Sequence, residues 1–254
     1  MVERDDRPAV ACFYADQPLD AGALVALGDR VAHHANVRRI ETGDLVAVTN
    51  GAGSVGRGRV ARLAKHEMEV SIENVERSSA PVELRLCAPV ADRDRMLWAA
   101  EKATELGVTS WQSIRFRRSA SVSPRGEGPS FAEKLRARMI GALEQSVGAW
   151  LPRLLAESTP ENIDAGGASK LVLDATGDPI VDLLSSRDLP VAVLVGPEGG
   201  IESHELARLI ADGWRPASLG PSTLRFETAA TAAISVVRAI HASQPSLGAS
   251  PSAQ

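Results

Sequence analysis

The stretch Val191-Ala-Val-Leu-Val-Gly-Pro-Glu-Gly-Gly200 decides the fold of this chain. Five apolar residues, as in a buried strand, run straight into a loop in which three of five residues are glycine. Glu202-Ser203-His204-Glu205 then opens a helical pattern, with Ser203 as the predicted N-cap and Leu206, Leu209 and Ile210 on one face. A strand, a glycine turn and a helix in this order bring backbone amides close to a small-molecule ligand in α/β proteins.

A second loop of the same kind follows about twenty residues later, in Leu219-Gly-Pro-Ser-Thr-Leu-Arg-Phe-Glu-Thr-Ala-Ala230. A strand is predicted to end at Leu219-Gly220, and an alanine-rich helix to begin near Thr228. Small residues such as Ala229 and Ala230 suit close helix packing. The two loops together predict a specific ligand site.

Strands and helices alternate along the chain after residue 81, which predicts an α/β domain with a largely parallel sheet. The predicted strands are Val82–Pro89, Val108–Phe116, Lys170–Asp174, Val191–Val195 and Ala217–Leu219, and long helices are predicted at Asp94–Leu106 and Phe131–Val147.

Residues 10–75 show short alternating segments without βαβ units, which favours a small β-barrel. The predicted strands are Val10–Tyr14, Asp44–Asn50, Val60–Leu63 and Met68–Val75, interrupted by a helical piece at Asp29–Ile40. Ser78-Ser-Ala-Pro81 is a plausible boundary. We therefore expect domains at 1–78 and 79–243, and a Ser/Pro/Gly-rich disordered tail at 244–254.

Several familiar signatures are excluded by their context. Gly51-Ala-Gly-Ser-Val-Gly56 matches G-x-G-x-x-G, but an alternating strand follows it instead of a helix, so a hairpin turn is the better interpretation. A Gly-Lys-Ser/Thr motif for nucleotide triphosphates is absent from the sequence. Ser203 and His204 are adjacent at a helix start and do not face each other as a hydrolase pair would.

Cysteine usage and hydropathy bound the setting of the protein. Cys12 and Cys87 are far apart and have no histidine at zinc-ligand spacing, so we expect free thiols, a reducing cytoplasm and no metal. The N-terminus lacks the apolar region of a signal peptide, and no apolar run approaches the roughly 18–20 residues that span a bilayer. We expect a soluble cytoplasmic protein without a membrane partner.

Basic residues concentrate in two stretches, although the net charge of the 254-residue chain is −4. Residues 30–65 and residues 115–138 each carry seven basic and two acidic residues, a net charge of +5. Charge alone leaves two interpretations open, namely two solvated faces or a divided site for a polyanion. His33-His34, one helical turn before Arg38-Arg39, is likewise either a surface helix or an edge that contacts phosphates.

In its two glycine-containing loops the chain resembles the SPOUT methyltransferases and, more narrowly, the bacterial 16S ribosomal RNA uridine-N3 methyltransferases. The resemblance rests on Leu-Val-Gly-Pro-Glu-Gly-Gly and Leu-Gly-x-x-x-Leu-Arg-x-Glu-Thr-Ala, which look like the two cofactor loops of that family. Further segments agree in order and spacing, and they cover nearly the whole chain except the tail: His33-His34-x-x-Val37-Arg-Arg with Gly43-Asp44, Asp94-Arg95-Met96 with Glu101–Gly107, and Glu144-Gln-Ser146.

The resemblance implies a C-terminal α/β trefoil-knot domain, an N-terminal PUA-like β-barrel domain that binds RNA, and a homodimer. It implies methylation of N3 of uridine 1498 in 16S ribosomal RNA within the 30S subunit. The cofactor is S-adenosylmethionine, for which the implied contacts are Leu173, Ala175, Gly196, Pro197, Glu198, Gly199, Gly200, Leu219, Gly220, Leu224 and Arg225.

The remaining implied roles concern catalysis and RNA. Arg225 and Glu227 are the catalytic candidates, as a positive charge near the uracil and as a group that orients it; a structural salt bridge at the helix start is the alternative. The RNA-binding candidates are His34, Arg38, Arg39, Arg117, Arg118 and Ser119.

The chain departs from the family pattern in three places. Val147-Gly148 follows Glu144-Gln-Ser146 where the family usually has Gly-Arg, Ser222-Thr223 stands where it often has Arg-Ile, and Phe226 stands where threonine is common. Two alternatives to this interpretation remain: a SPOUT enzyme that acts on another RNA, and a non-catalytic RNA-binding protein of ribosome assembly, which the missing arginine after Ser146 motivates. The sequence does not identify the general base.

Overall fold

A computed structural model describes residues 8–121, 124–185 and 190–242 of the chain. These residues form two compact units. The N-terminal unit comprises the described residues up to Pro81 together with Met139–Leu151, and the C-terminal unit comprises Val82–Arg138 and the described residues from Pro152 onward. The sequence predicts one boundary, near residue 78, and does not predict that Met139–Leu151 belongs to the N-terminal unit. The predicted disordered tail lies outside the described residues.

The N-terminal unit is built on a five-stranded sheet. Among the described residues, the first and third strands form a parallel pair, and the other pairs are antiparallel. The strands, in sheet order, are β1 (Cys12–Tyr14), β3 (Leu45–Thr49), β4 (Ser54–Leu63), β5 (Met68–Arg77) and β2 (Leu24–Leu27), and helix α1 spans Asp29–Val37.

All five strands and α1 contribute to one apolar core, as a small β-domain requires. Phe13 of β1, Val48 of β3 and Met68 of β5 are almost fully buried in it. The predicted strands and helix of this region are confirmed, except that β4 begins at Ser54, six residues before the predicted start at Val60. Strand β2 was not predicted, because its four residues lie on an edge and alternate between exposed and buried.

The glycine-rich segment after β3 is a hairpin turn, as predicted. Gly51 and Gly53 adopt φ angles of 64° and 97°, which favour glycine. The side-chain oxygen of Asn50 accepts hydrogen bonds from the backbone amides of Ala52 and Ser54, at 2.9 and 3.0 Å. Strand β4 begins at Ser54, so no helix follows that could hold a pyrophosphate.

The C-terminal unit contains a six-stranded sheet in which every neighbouring pair is parallel. The predicted α/β class with a parallel sheet is therefore confirmed. In sheet order the strands are β11 (Arg215–Ser218), β9 (Ser169–Pro179), β10 (Val191–Leu194), β6 (Leu84–Pro89), β7 (Ser110–Ile114) and β8 (Arg153–Ser158). The helices are α2 (Arg93–Glu105), α3 (Pro129–Ser146), α4 (Ile180–Leu183), α5 (Ser203–Ala211) and α6 (Phe226–Ala242), and short 3-10 helices span Arg117–Ser121 and Pro160–Asn162. Helix α3 belongs to this unit only as far as Arg138.

Burial explains which of these strands the sequence predicts. Each residue of β10 is fully buried, which matches its continuous apolar run. Strand β8 lies at the edge of the sheet, is half exposed and lacks a clear alternation, so it was not predicted. Strand β9 is longer than predicted and pairs with β11 through a register shift.

The close approach of β9 and β11 depends on a glycine. A Cβ atom on Gly177 would lie 2.4 Å from the carbonyl carbon of Pro216, so only glycine fits between the two backbones. The register shift between Pro216 and Ala217 lies at the same place. The predicted trefoil knot in this region stays a prediction.

Helix α5 begins with a different cap from the one predicted. Its N-cap is Glu202, not Ser203, and the carboxylates of Glu202 and Glu205 form a reciprocal capping box. Ser203 is instead the first helical residue. Helix α6 begins at Phe226, two residues before the predicted start at Thr228.

Candidate ligand site at the strand ends

A cleft with a volume of about 220 Å³ opens where β9, β10 and β11 lead into their loops. In parallel sheets the carboxyl ends of the strands are where ligands bind, because helix N-termini and loop amides converge there. We call it the strand-end cleft. Its lining residues are Leu173, Asp174, Ala175, Val195, Gly196, Pro197, Glu198, Gly200, Ile201, Ala217, Leu219, Gly220, Ser222, Thr223, Leu224, Phe226 and Ala229.

The cleft brings together nine of the eleven predicted cofactor residues, from three separate segments of the chain. Gly199 and Arg225 are the two that do not line it. Contact of the nine with a ligand stays a prediction. The nine are Leu173, Ala175, Gly196, Pro197, Glu198, Gly200, Leu219, Gly220 and Leu224.

The glycines give this cleft a backbone wall. A Cβ atom on Gly196 would lie 2.7 Å from Cγ1 of Ile201, so a larger residue would displace that lining side chain. Gly200 and Gly220 adopt φ angles of 75° and 121°, which side chains rarely allow. The loop residues Gly196–Gly200, called the glycine loop below, can therefore present amide and carbonyl groups directly to a ligand.

Gly199 faces away from this wall, toward Arg118. A Cβ atom there would lie 3.2 Å from Cβ and 3.4 Å from Cδ of Arg118. The Nη1 atom of Arg118 donates a 2.6 Å hydrogen bond to the Gly199 carbonyl, and its Nε lies 3.7 Å from a carboxylate oxygen of Glu202. Arg118, predicted to contact RNA, is therefore bonded to the glycine loop.

The two catalytic candidates do not pair with each other. Arg225 is exposed just before α6, and its carbonyl accepts the first helical hydrogen bond, from Ala229, at 2.9 Å. Its guanidinium forms no ion pair within the described ranges 8–121, 124–185 and 190–242. The alternative of a structural Arg225–Glu227 salt bridge is therefore not what the structure shows.

Glu227 lies instead near an arginine that the sequence did not single out. Its Oε1 atom is 4.0 Å from Nε of Arg95, and its buried Oε2 atom has no hydrogen-bond partner among the described residues. The side chain of Glu227 is 13% exposed, so it is screened from water on most sides. A buried carboxylate oxygen without a partner is energetically costly, and such groups occur where a ligand, an ion or a water molecule binds.

Arg95 links the glycine loop to the start of α6. It lies in the first turn of α2, whose N-cap Asp92 accepts hydrogen bonds from the amides of Asp94 and Arg95. Its guanidinium forms an ion pair with Glu198 of the glycine loop in addition to its approach to Glu227. The motif Asp94-Arg95-Met96 was the available signal, but no pattern in the sequence shows which carboxylates its arginine meets.

Of the three RNA-binding candidates in the N-terminal unit, His34 is packed against a neighbour, whereas Arg38 and Arg39 are exposed. His34 is half buried and lies edge-on to Phe13, with ring centroids 6.4 Å apart and an interplanar angle of 85°. Arg38 caps the C-terminus of α1, and Arg39 follows with a left-handed φ of 56°. Both arginines are exposed, and neither forms an ion pair in the part of the chain that the structure describes.

Ser119 lies where it cannot contact RNA in this conformation. It is 1% exposed in the 3-10 helix Arg117–Ser121, and its hydroxyl has no partner among the described residues. Arg117 is exposed; its backbone amide donates to Glu205 at 3.1 Å. The expected RNA surface of this segment is thus limited to the Arg117 side chain and the outer part of Arg118.

Local ion pairs offset much of the second basic stretch. Arg115 lies 2.7 Å from Glu127 and 2.6 Å from Glu157, and Arg125 lies 3.1 Å from Glu127. The hydrogen bond from Arg115 is the main reason why the pKa of Glu127 is lowered. The count of +5 therefore overstates the positive potential of this region.

The described residues provide no metal-binding group, no membrane-spanning helix and no disulfide. Within residues 8–121, 124–185 and 190–242, no group of three or more His, Cys, Asp or Glu side chains could hold a metal ion. No helix of the described chain is both long and apolar enough to span a bilayer. Both cysteines are free and buried.

A parallel sheet with a glycine-walled cleft at its strand ends is typical of α/β enzymes that bind a small molecule at that edge of the sheet. Comparison with known proteins specifies the class further. Residues 78–238 match the model of an RNA methyltransferase domain, and residues 27–73 match that of an RNA methyltransferase PUA domain. The chain belongs to the RNA methyltransferase family and, within it, to the ribosomal RNA small subunit methyltransferases E.

Individual relatives agree over almost the full length. The ribosomal RNA small subunit methyltransferase E of Mycobacterium bovis is 30% identical over 240 residues, which are 89% of this chain and 90% of the relative. The crystal structure of a protein of the same name from Neisseria gonorrhoeae, bound to S-adenosylmethionine, is 25% identical with a TM-score of 0.81 and covers 91% of this chain and 97% of its own. A Legionella pneumophila methyltransferase in complex with the same cofactor is 27% identical, with a TM-score of 0.81, and covers 92% of this chain and 98% of its own. The resemblance stated from the sequence is confirmed.

Proposed function

We propose that this chain transfers a methyl group from S-adenosylmethionine to N3 of a uridine in 16S ribosomal RNA. One observation carries the proposal: three distant segments converge on one glycine-walled cleft at the strand ends, in a chain of the ribosomal RNA small subunit methyltransferase E family. Two solved structures similar to this chain are described as bound to S-adenosylmethionine.

The strand-end cleft suits the chemistry of this cofactor. An adenine ring needs apolar walls, which Leu173, Leu219 and Phe226 provide, and hydrogen-bonding groups at its edge, which a glycine backbone provides. Gly196 is the critical position, because a side chain there would push Ile201 and narrow the cleft. The predicted contacts at Gly199 and Arg225 are not part of this wall.

When bound, S-adenosylmethionine supplies an electrophilic methyl group. The chain must then position the uracil and accept the proton that N3 loses. The Oε2 atom of Glu227, which has no hydrogen-bond partner among the described residues, is an acceptor of the right kind, and the exposed guanidinium of Arg225 can stabilise the negative charge that develops on the uracil. Arg95 fixes Glu227 relative to the glycine loop through Glu198.

In this proposal the RNA is bound by arginine side chains that form no ion pair within the described residues. Arg38 and Arg39 have no carboxylate to satisfy them within the described residues, so they are available to neutralise phosphates. His34 supports the end of α1 through its contact with Phe13. Assembled 30S subunits as the substrate, a homodimer as the active form and the cytoplasm as the location belong to the same proposal.

The departure from the family pattern after Ser146 does not favour a non-catalytic role. Val147-Gly148 lies in the N-terminal unit, where the carbonyl of Gly148 accepts a 2.7 Å hydrogen bond from Thr49. Val147 adopts a left-handed φ of 52°, so this is a tight turn at the end of α3. The change thus lies in a turn at which Val147 is exposed, and neither Val147 nor Gly148 is among the residues that line the strand-end cleft.

The test is methylation of 30S subunits from a strain that lacks the corresponding modification, with labelled S-adenosylmethionine and mass spectrometry of the product nucleotides. We expect 3-methyluridine at a single position of 16S ribosomal RNA. Label in another nucleotide or another RNA would favour a different SPOUT specificity, and a chain that binds no cofactor in calorimetry would be a non-catalytic protein.

The Glu227→Gln variant tests the proposed catalytic role of Glu227. We expect kcat to fall about 10²–10⁴-fold, as for the loss of a general base, while the Kd for S-adenosylmethionine stays unchanged. An unchanged kcat would remove Glu227 from the mechanism without affecting the assignment of the cleft.

A further inference from the structure

The turn after β7 is bonded to the glycine loop. The guanidinium of Arg118 donates to the Gly199 carbonyl at 2.6 Å, and its aliphatic stem covers the position where a Cβ of Gly199 would lie. Arg118 also lies next to Gly200, where a Cβ atom would lie 3.7 Å from its Nη1 atom. Arg118 therefore covers the outer face of a loop whose inner face lines the strand-end cleft.

A buried carboxylate fixes the same turn from the side of α5. Glu205 is only 2% exposed, and its two oxygens accept backbone hydrogen bonds, from Arg117 and from Glu202, each at 3.1 Å. Charge-assisted bonds to a buried carboxylate are strong and geometrically fixed. Glu205 thus joins the start of α5 to the turn that carries Arg118.

Glycine loops need such support. Glycine loses more conformational freedom on ordering than any other residue, so an unsupported loop with three glycines would sample conformations that do not bind a ligand. Each restraint that orders the loop before binding lowers the cost of binding. The carbonyl of Gly199 and the amide of Glu202 are both restrained in this way.

We infer that Arg118 and Glu205 are positioning residues for the methyl donor, which hold the glycine loop in its binding conformation. The inference rests on the proposed function, because it takes S-adenosylmethionine as the ligand of the strand-end cleft. It differs from the expectation based on sequence, in which Arg118 contacts RNA. The two roles predict different losses when the guanidinium is removed.

The experiment measures the Kd for S-adenosylmethionine by calorimetry, without RNA, for wild type, Arg118→Ala, Arg118→Lys and Arg117→Ala. Arg117 is the matched control: it lies in the same turn, carries the same charge and has an exposed side chain with no ion pair in the described residues. We expect Arg118→Ala to raise the Kd about tenfold or more, the loss of one charge-assisted hydrogen bond, and Arg117→Ala to leave it unchanged. Lysine can still donate to the Gly199 carbonyl, so Arg118→Lys should recover part of the affinity.

A second variant tests the buried carboxylate. Glu205→Gln keeps one acceptor but turns an amide group toward one of the two backbone N–H groups, so we expect a smaller rise in the Kd for S-adenosylmethionine. Its Tm is measured alongside, because a role in stability alone would lower the Tm and leave the Kd unchanged. That result would overturn the assignment of Glu205.

The remaining outcomes separate this inference from the proposed function. Equal Kd values for S-adenosylmethionine in wild type and Arg118→Ala, with weaker RNA binding in both arginine variants, would overturn the inference and restore Arg118 as an RNA contact. A wild-type chain that does not bind S-adenosylmethionine would overturn the proposed function, and the inference with it.

Discussion

The two units use arginine in two different ways. The N-terminal unit provides one pair, Arg38 and Arg39, and the C-terminal unit another, Arg95 and Arg118. The first pair is exposed and has no ion pair within the described residues, whereas the second pair is bonded to Glu198 and Gly199 of the glycine loop. A free guanidinium can exchange its water for a phosphate, but a bonded one must first give up a partner. Charge counts along a sequence treat both pairs alike, and only the three-dimensional surroundings separate them.

Each unit contains a pair of strands whose backbones approach at a distance that only glycine permits. In the C-terminal unit a Cβ atom on Gly177 of β9 would lie 2.4 Å from the carbonyl carbon of Pro216 in β11, and in the N-terminal unit a Cβ atom on Gly58 of β4 would lie 2.1 Å from the carbonyl oxygen of Ser71 in β5. We therefore expect a small addition of volume at either position to destabilise its own unit.

The largest effect is expected from Gly177→Ala. The new Cβ would lie 2.4 Å from a backbone atom of Pro216, which cannot move without separating β9 from β11. We expect a loss of about 3 kcal/mol or more in the free energy of unfolding, measured by urea titration. Gly167→Ala is the control, because a Cβ there meets nothing within 4 Å. Similar stability of both variants would show that β9 and β11 lie farther apart at Gly177 than described.

A smaller and more selective effect is expected from the double variant Arg38→Ala/Arg39→Ala. Binding to 16S ribosomal RNA fragments should weaken, because two phosphates would no longer be neutralised by the protein. The slope of log K against log salt should accordingly fall by about two. The Kd for S-adenosylmethionine should stay the same.

Arg62→Ala is the matched control for that experiment. Arg62 lies in the same unit and is exposed, but it is already bonded to Glu67 and Glu69. Its loss should leave the salt slope unchanged. If Arg62→Ala lowers RNA affinity as much as the double variant, pairing does not distinguish the two kinds of arginine.

The last prediction compares the two units directly and concerns their thiols. Burial raises the pKa of Cys12 in the N-terminal unit to about 12, with a contribution from Glu144, and burial raises the pKa of Cys87 in the C-terminal unit to about 12. The unperturbed thiol value is 9.0. Each thiol therefore favours the folded state below pH 9, and this contribution is lost as the pH rises from 9 toward 12.

Alkylation at pH 8 measures both effects. We expect thiolate populations in the folded chain about 1000-fold below those in urea, and Cys12→Ser and Cys87→Ser variants assign each rate to its unit. At intermediate urea, the thiol that reacts first identifies the less stable unit. Rapid modification of both thiols without urea would contradict their burial.

Most of the fold was predictable because hydrophobic patterns are local. The continuous apolar run at Val191–Val195 and the alternation at Met68–Val75 each identify a strand without knowledge of its neighbours. Strands β2 and β8 were missed because edge strands are partly exposed and carry weak patterns. The N-cap of α5 was assigned to Ser203, because propensity favours serine and cannot detect the carboxylate pair of Glu202 and Glu205.

For the candidate site, the loops were predictable and the partners of charged residues were not. Gly196 and Gly220 are recognisable from local sequence, because glycine after a strand has few other uses. The approach of Arg95 to Glu227 joins residues more than a hundred positions apart, and no periodicity encodes such a distance. The burial of Ser119 is equally invisible in a segment rich in arginine.

By itself the sequence determined the order of strands and helices, the glycine loop and, through resemblance, the family, because each of these depends on residues close together in the chain. The tertiary structure alone decided which arginines are free and which are bonded, which face of Gly199 meets Arg118, and where a carboxylate oxygen of Glu227 is left without a partner among the described residues. These properties depend on distances between segments that only folding brings together, and a hydrogen bond or an ion pair is broken by a shift of a few ångströms.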